Sequence, residues 1–524
     1  MGRDRVSKRR FLGGLGALAG ATALPGALAA TPATTGEAAR AGSPMPDPRA
    51  LARVRWDVIV VGAGNSGLPA AIFAARRGAR VLLVDAAERI GGTLLLSSGQ
   101  MSAGGTVLQR SKGIQDTPQE HFDDVMRISQ GTANRQMVRL AVDHAPAMAD
   151  WLFAAGFTAR AEHPVLGGGG HDPYTKARYF WGENGGLSIL RILENELQPL
   201  VDAGKVTVLL QTRATSLLQR RGGAVEGIAA TGADGRAVEY RGRSVVLTCG
   251  GYGSNGEMFE RLEGIRDYAD TVYPYSQGAG IIMGLAAGGY LRGAELRQPL
   301  FNAVLQEESA PSRILVRLVT DPTQREPWEI YVNVRGERFL QEDTLTFDAK
   351  EKALKGQPDE RCWVVFDQAI LDAAPKPPTR SWSKAEYAEA FGSFPTFYKA
   401  DTLQALAAAA RIDAAGLAAT VVEYNAAQAS GRDRLGRRHM PLSIAKPPFY
   451  AIRMQGYYLV DSAGLAVDTR LRVLRQDGRA IPNLYAAGEL LGMGTLQGSS
   501  YPGGMSVTPA LTFGKLLGEK LLPV

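Results

Sequence analysis

The chain has 524 residues with a formal net charge of +7, only two cysteines, Cys249 and Cys362, and five histidines. That length supports two domains with substantial cores. Two cysteines exclude a disulfide scaffold and a Cys-x-x-Cys-His haem attachment, and His121, His144, His163, His171 and His439 show no metal-ligand spacing, so no metal site is expected. The stretch from His163 to Asp172 reads as a polar loop.

At the N-terminus, Ser7-Lys-Arg-Arg-Phe-Leu12 precedes the apolar, glycine-rich run from Gly13 to Ala27. This is the charged-then-apolar order of an export signal. It resembles the twin-arginine signal with Lys8 in place of the first arginine, and Ala27-Leu-Ala29 offers a cleavage site. The apolar run is short for a bilayer span, which needs about 20 residues, so export to the periplasm or beyond, with no anchor left after cleavage, is expected. Arg3, Arg5, Lys8, Arg9 and Arg10 against Asp4 give residues 1–29 much of the positive charge. The basic balance is therefore a targeting effect and not a nucleic-acid footprint. Residues 30–50, rich in Ala and Pro, read as a linker.

The first folded unit is Trp56-Asp-Val-Ile-Val-Val-Gly62-Ala63-Gly64-Asn-Ser66-Gly67, then a helix to Arg77 and a second strand ending in Asp85, 23 residues after Gly62. A glycine-rich stretch alone says little; here the strand, turn, helix and terminal acid are all in place. Gly62 makes the tight turn, Gly64 lets a pyrophosphate approach the backbone, Gly67 lets helix and strand pack closely, and Asp85, followed by Ala86, stands where a ribose is recognised. The helix N-terminus faces the phosphates.

The next stretch of chain decides which dinucleotide binds. Glu88-Arg-Ile-Gly-Gly92-Thr93 resembles the segment that runs beside the flavin ring in two-dinucleotide-binding-domain flavoproteins. Gly242 to Gly250-Gly251 and Ile481 to Gly488-Glu489 resemble the strands that return to the cofactor in that group, with Glu489 near the ribityl chain. The resemblance implies FAD, with Ala214 and the last loop, Gly504-Met505-Ser506-Val507, completing its site. No histidine or cysteine lies between Thr93 and Gly99, so the flavin is expected to be held non-covalently.

The wider pattern, from about Trp56 to the C-terminus, is similar to the fumarate reductase and 3-ketosteroid dehydrogenase group. Tyr275 to Gly288 resembles its glycine-containing turn and helix, with Ala279 where an aspartate is common, and Tyr331 to Glu342 resembles its cap hairpin. The implied fold is α/β: a Rossmann-like FAD-binding domain over 51–297 and 447–524, with an α+β cap inserted at 298–446. Substrate binds between them, as ligands favour domain boundaries. A single alanine-rich helical run is read over 402–430.

Within this group the residue at the mouth of the last loop separates chemistries. Fumarate reductases carry an arginine there; this chain has Tyr501 in Ser-Tyr-Pro-Gly, closely resembling the 3-ketosteroid dehydrogenases. An arginine fork grips a carboxylate, whereas a phenol donates one hydrogen bond to a ketone oxygen. The resemblance implies desaturation of the carbon-carbon bond next to a ketone in a cyclic or steroid-like substrate, with hydride passing to flavin N5. Tyr501 and the backbone near Gly504 polarise the carbonyl. The base of the ketosteroid enzymes falls at Thr346, a poor base, so Asp343, Tyr174, Tyr179 and Tyr458 stand as replacements. Two alternatives stay open: reduction of an activated double bond, and a flavin-binding electron carrier without turnover. The electron acceptor or donor is not readable from the sequence.

Overall fold

The computed structural model describes residues 48–167, 171–220, 223–379 and 381–524; the expected export signal and most of the expected linker lie outside them. Among the described residues no helix is long and apolar enough to cross a membrane.

The strand Arg55–Val61 has a continuous apolar run, and its last four residues are buried. It pairs in parallel with Val81–Val84 on one side, Val61 opposite Val84, and with Ala237–Leu247 on the other, Val61 opposite Leu247. Burial on both faces is what such uninterrupted strands require. Val206–Leu209 extends one edge in parallel, and Ala480–Ala486 joins Ala237–Leu247 in parallel on the other. The antiparallel strands Arg213–Gln219, Val225–Thr231 and Arg472–Leu474 complete an eight-stranded sheet. The helix Gly67–Arg76 buries every residue except its last, which its Ala-rich sequence permits by bringing the backbone close to the sheet.

The second domain has its own core around an antiparallel six-stranded sheet. In order, it contains Ile314–Arg317, Leu300–Leu305, Phe449–Tyr457, Arg361–Asp367 and Ile330–Val332, with Phe397–Ala400 also on Phe449–Tyr457. All nine residues of Phe449–Tyr457 are buried, and it is the strand on which the cap sheet is assembled. The cap sheet thus takes in Phe449–Tyr457, which lies past the expected boundary at 446. A strand buried on both faces carries no clean alternation to say which of two sheets it joins.

The run 402–430 divides into Leu403–Ala410 and Ala414–Ser430. Arg411 takes a left-handed conformation, and Asp413 starts the second helix by accepting a hydrogen bond from Gly416 N at 2.6 Å. An aspartate N-cap ends one helix and starts another more strongly than alanine propensity joins them.

Candidate functional site

A cavity of about 1300 Å³ runs from the strand ends of the first domain to the underside of the cap. Its floor is the glycine loop after Arg55–Val61. Gly62 has φ +105°, and a Cβ there would lie 2.4 Å from Thr248 O, so side-chain residues are excluded by both conformation and space. At Gly67 a Cβ would sit 1.8 Å from Gly62 O. Gly64 differs: its added Cβ meets nothing closer than Gly92 Cα at 3.7 Å, and it borders the cavity. Packing does not demand glycine at 64, so the open cradle there fits a ligand backbone approach.

Asp85 accepts hydrogen bonds from Ala63 N at 2.6 Å and Ala87 N at 2.8 Å, tying the loop to the second strand. Burial raises its carboxyl above the usual range, against the pull of those N–H groups and Arg213. Along the cavity wall follow Ala86, Gly92, Thr93, Ala214, Gly250, Gly488 and Glu489, and then Gly504, Ser506 and Val507 at the start of the helix Val507–Leu516. Gly62, Gly64, Ser66 and Asp85 face the same space. Two buried oxygens on this wall, Asn65 Oδ1 and Glu489 Oε1, have no hydrogen-bond partner, as expected for groups that meet a polar ligand. Burial lifts Glu489 to about 7, and burial together with Glu489 pushes the neighbouring Asp461 well above the carboxylate range.

Four residues expected to touch the cofactor do not line the cavity. Ala63 donates its N–H to Asp85, Gly67 packs against Gly62, Gly251 lies against Asp461, and Met505 of the last loop is fully buried. They shape the wall from behind.

The chain belongs to the FAD binding domain family. The family model matches residues 57–507. The chain is 29% identical over 468 residues to a fumarate reductase (cytochrome) of Shewanella frigidimarina, covering 88% of this chain and 76% of that protein. It is 26% identical to a 3-oxosteroid 1-dehydrogenase of Mycobacterium tuberculosis, over 88% and 97% of the two chains. Among solved structures, the open conformation of a flavocytochrome c3 fumarate reductase superposes with a TM-score of 0.66 at 27% identity, covering 89% of this chain and 78% of that one. FAD is thus the cofactor, and the protein is an FAD-dependent oxidoreductase of the fumarate reductase and ketosteroid dehydrogenase family.

Where the FAD site meets the cap, Tyr501 stands on the cavity wall with Phe347, Glu351, Tyr457 and His171. Burial, with Tyr457 and Glu351 nearby, pushes its phenol up to about 12, which keeps it a proton-bearing donor at neutral pH. Its loop is buttressed by Tyr174, whose hydroxyl donates to Gly503 O at 2.5 Å, and by the ring of Tyr179, against which Gly503 packs. Neither tyrosine lines the cavity.

The other expected bases are also placed away from it. Asp343 is partly buried, which raises its carboxyl, but the N–H groups of Arg438 at 2.7 Å and His439 at 3.0 Å hold it below the usual range. Tyr458 is buried, accepts from Arg297 at 2.8 Å and donates to Glu360 at 2.5 Å. Thr346 starts the helix Phe347–Lys355 and does not border the cavity. Arg338 is likewise structural: it forks onto Glu342 at 2.6 and 2.7 Å and reaches Asp433 at 2.5 Å.

The residue that sequence reasoning missed is His171. It is buried, borders the cavity, and stacks near Tyr501 with ring centroids 5.0 Å apart. Its Nδ1 faces Asp348 at 3.8 Å and its Nε2 faces Glu351 at 3.9 Å. The only sequence signal was the Asp348/Glu351 pair at i,i+3 on one helix, which puts both carboxylates on one face.

Proposed function

We propose that this protein desaturates the carbon-carbon bond next to a ketone in a cyclic or steroid-like substrate, the carbonyl oxygen accepting a hydrogen bond from Tyr501. The observation that carries this is a neutral phenol, held up to about 12, at the junction of FAD site and cap. FAD bound along Gly62 to Asp85 supplies a two-electron acceptor. The chain's own residues then orient the ketone and stabilise the oxygen as it gains enolate character, where one preorganised donor is worth roughly 2.7–4 kcal/mol. The apolar wall of Phe347, Tyr457 and Tyr501 suits a cyclic carbon skeleton. Anaerobic mixing with a panel of cyclic ketones and dicarboxylates tests it: ketones bleach the flavin and Tyr501→Phe suppresses this. Bleaching by dicarboxylates alone rejects it.

A second reading, reduction of an activated double bond, draws on Arg317. This cation borders the cavity and donates to Tyr457 Oη at 3.0 Å, within reach of an anionic substrate. Reduced viologen as electron source, offered with enones and with unsaturated acids, separates the two directions. Export by residues 1–29 belongs to the same proposal; N-terminal sequencing of the secreted or periplasmic protein should find a start at Ala30.

A further inference from the structure

We infer that His171, held between Asp348 and Glu351, is the group that exchanges a proton with the substrate carbon, taking the place expected for a base at Thr346. This inference rests on the ketone reading for its substrate, and on the geometry of the cluster for its chemistry.

Each ring nitrogen of His171 faces a different carboxylate, Nδ1 toward Asp348 and Nε2 toward Glu351. Asp348 is buried, both of its oxygens lack hydrogen-bond partners, and so does His171 Nδ1. A buried carboxylate facing one ring nitrogen favours a proton on that nitrogen and leaves the other nitrogen to handle protons. Glu351 lines the cavity beside that nitrogen, with Gln298 Nε2 3.4 Å from its other oxygen. The ring itself is clamped between Tyr501 at 5.0 Å and Phe347 at 5.4 Å, so it is adjacent to the donor that holds the carbonyl. A base for the α carbon must sit beside the group that binds the carbonyl oxygen; His171, Glu351 and Tyr457 stand there, and the Tyr457 hydroxyl already accepts from Arg317 at 3.0 Å.

The three side chains also bring one nitrogen or oxygen each to within 4.8 Å of one another, a spacing that would admit a cation. The two-sided arrangement favours proton passage instead, since one cation engages only one nitrogen of an imidazole ring.

Burial opposes a charge on His171, but Glu351, Asp348 and Asp172 raise its pKa above the ordinary histidine value, and the ring of Tyr501 lies beside it. Burial lifts Glu351 to about 7, opposed by His171 and reinforced by Asp348. In the desaturating direction the α C–H bond breaks and its proton passes to Nε2 of neutral His171. The freed electron pair becomes the new C=C bond as the β hydrogen leaves as hydride to oxidised FAD, the two-electron oxidant. The proton then moves to Glu351 and to solvent.

The test uses the FAD-loaded full chain and an α-deuterated cyclic ketone, following loss of deuterium to water. His171→Gln is expected to slow exchange by about 100-fold or more while ketone affinity, read from flavin absorbance, is kept, and Glu351→Gln to move the midpoint of the pH profile. Exchange in His171→Gln equal to that of the unmodified protein overturns the inference, as does stoichiometric zinc or manganese that His171→Gln abolishes. A failure of the ketone reading looks different: no carbonyl compound exchanges or bleaches flavin in the unmodified protein. The decision then falls to NMR titration of histidine-labelled protein. An upward-displaced His171 midpoint that drops in Asp348→Asn or Glu351→Gln supports the relay, and an undisplaced one overturns it.

Discussion

His171 and Tyr501 lie side by side at the junction of the FAD site and the cap, their ring centroids 5.0 Å apart and their planes inclined by 34°. One comes from the long loop before the helix Gly186–Asp202, the other from the loop before the last helix, so their meeting is a product of the fold. The contact joins a hydrogen-bond donor to a group with two carboxylates behind it.

Tyr501→Phe keeps the ring and removes the donor. Flavin content and thermal stability should be unchanged while the rate of flavin reduction by a ketone falls by about 100- to 1000-fold. Rapid-mixing absorbance at the flavin band measures this, and an unchanged rate would reduce Tyr501 to a packing residue.

Gly64→Val and Gly62→Ala should fail in different ways. At Gly62 any Cβ collides with backbone at 2.4 Å and φ is +105°, so the variant should be poorly folded even without cofactor. The Cβ of a residue at 64 has room in the protein, so Gly64→Val should fold as apoprotein and purify without yellow colour. Circular dichroism paired with flavin content distinguishes the two.

The raised pKa of Glu351 has a consequence for stability. With a folded value of about 7 against 4.5, its contribution is fully present below about pH 4.5 and is lost as pH rises through 7. The loss is up to roughly 3 kcal/mol, an upper bound from the shift itself. Urea unfolding of the apoprotein at pH 5 and pH 8 should show a smaller difference in Glu351→Gln than in the unmodified chain.

Arg338→Ala takes the bridging guanidinium from two buried carboxylates, leaving Glu342 with Arg437 at 3.6 Å and the N–H of Tyr331, and Asp433 with the N–H groups of Leu435 and Arg437. Breaking such a site by removing one partner costs about 3–5 kcal/mol. The urea midpoint should fall accordingly. Flavin content measured below the transition should be retained, since Arg338 does not border the cavity.

The cofactor half of this protein is legible in the chain. Gly62, Gly64, Gly67 and Asp85 are set by local demands of turn, approach and strand end, and those demands fall within one strand-turn-helix-strand unit. Tyr501 was legible for a similar reason: its neighbours in the chain fix the loop that carries it. The cluster of His171, Asp348 and Glu351 is visible in the folded chain alone. His171 and the pair Asp348 and Glu351 belong to different domains, and no spacing in the chain connects them. The expected bases lie outside the cavity lining, because side-chain chemistry does not reveal where a side chain points. Asp343 accepts from backbone N–H groups, Tyr458 is bonded to Arg297 and Glu360, and Thr346 stands at the start of a helix outside the cavity lining. The sheet that Phe449–Tyr457 joins is hidden from the sequence on the same ground. Phe449–Tyr457 is buried throughout, and which sheet takes it in is settled by pairing partners distant in sequence, Leu300–Leu305 and Arg361–Asp367.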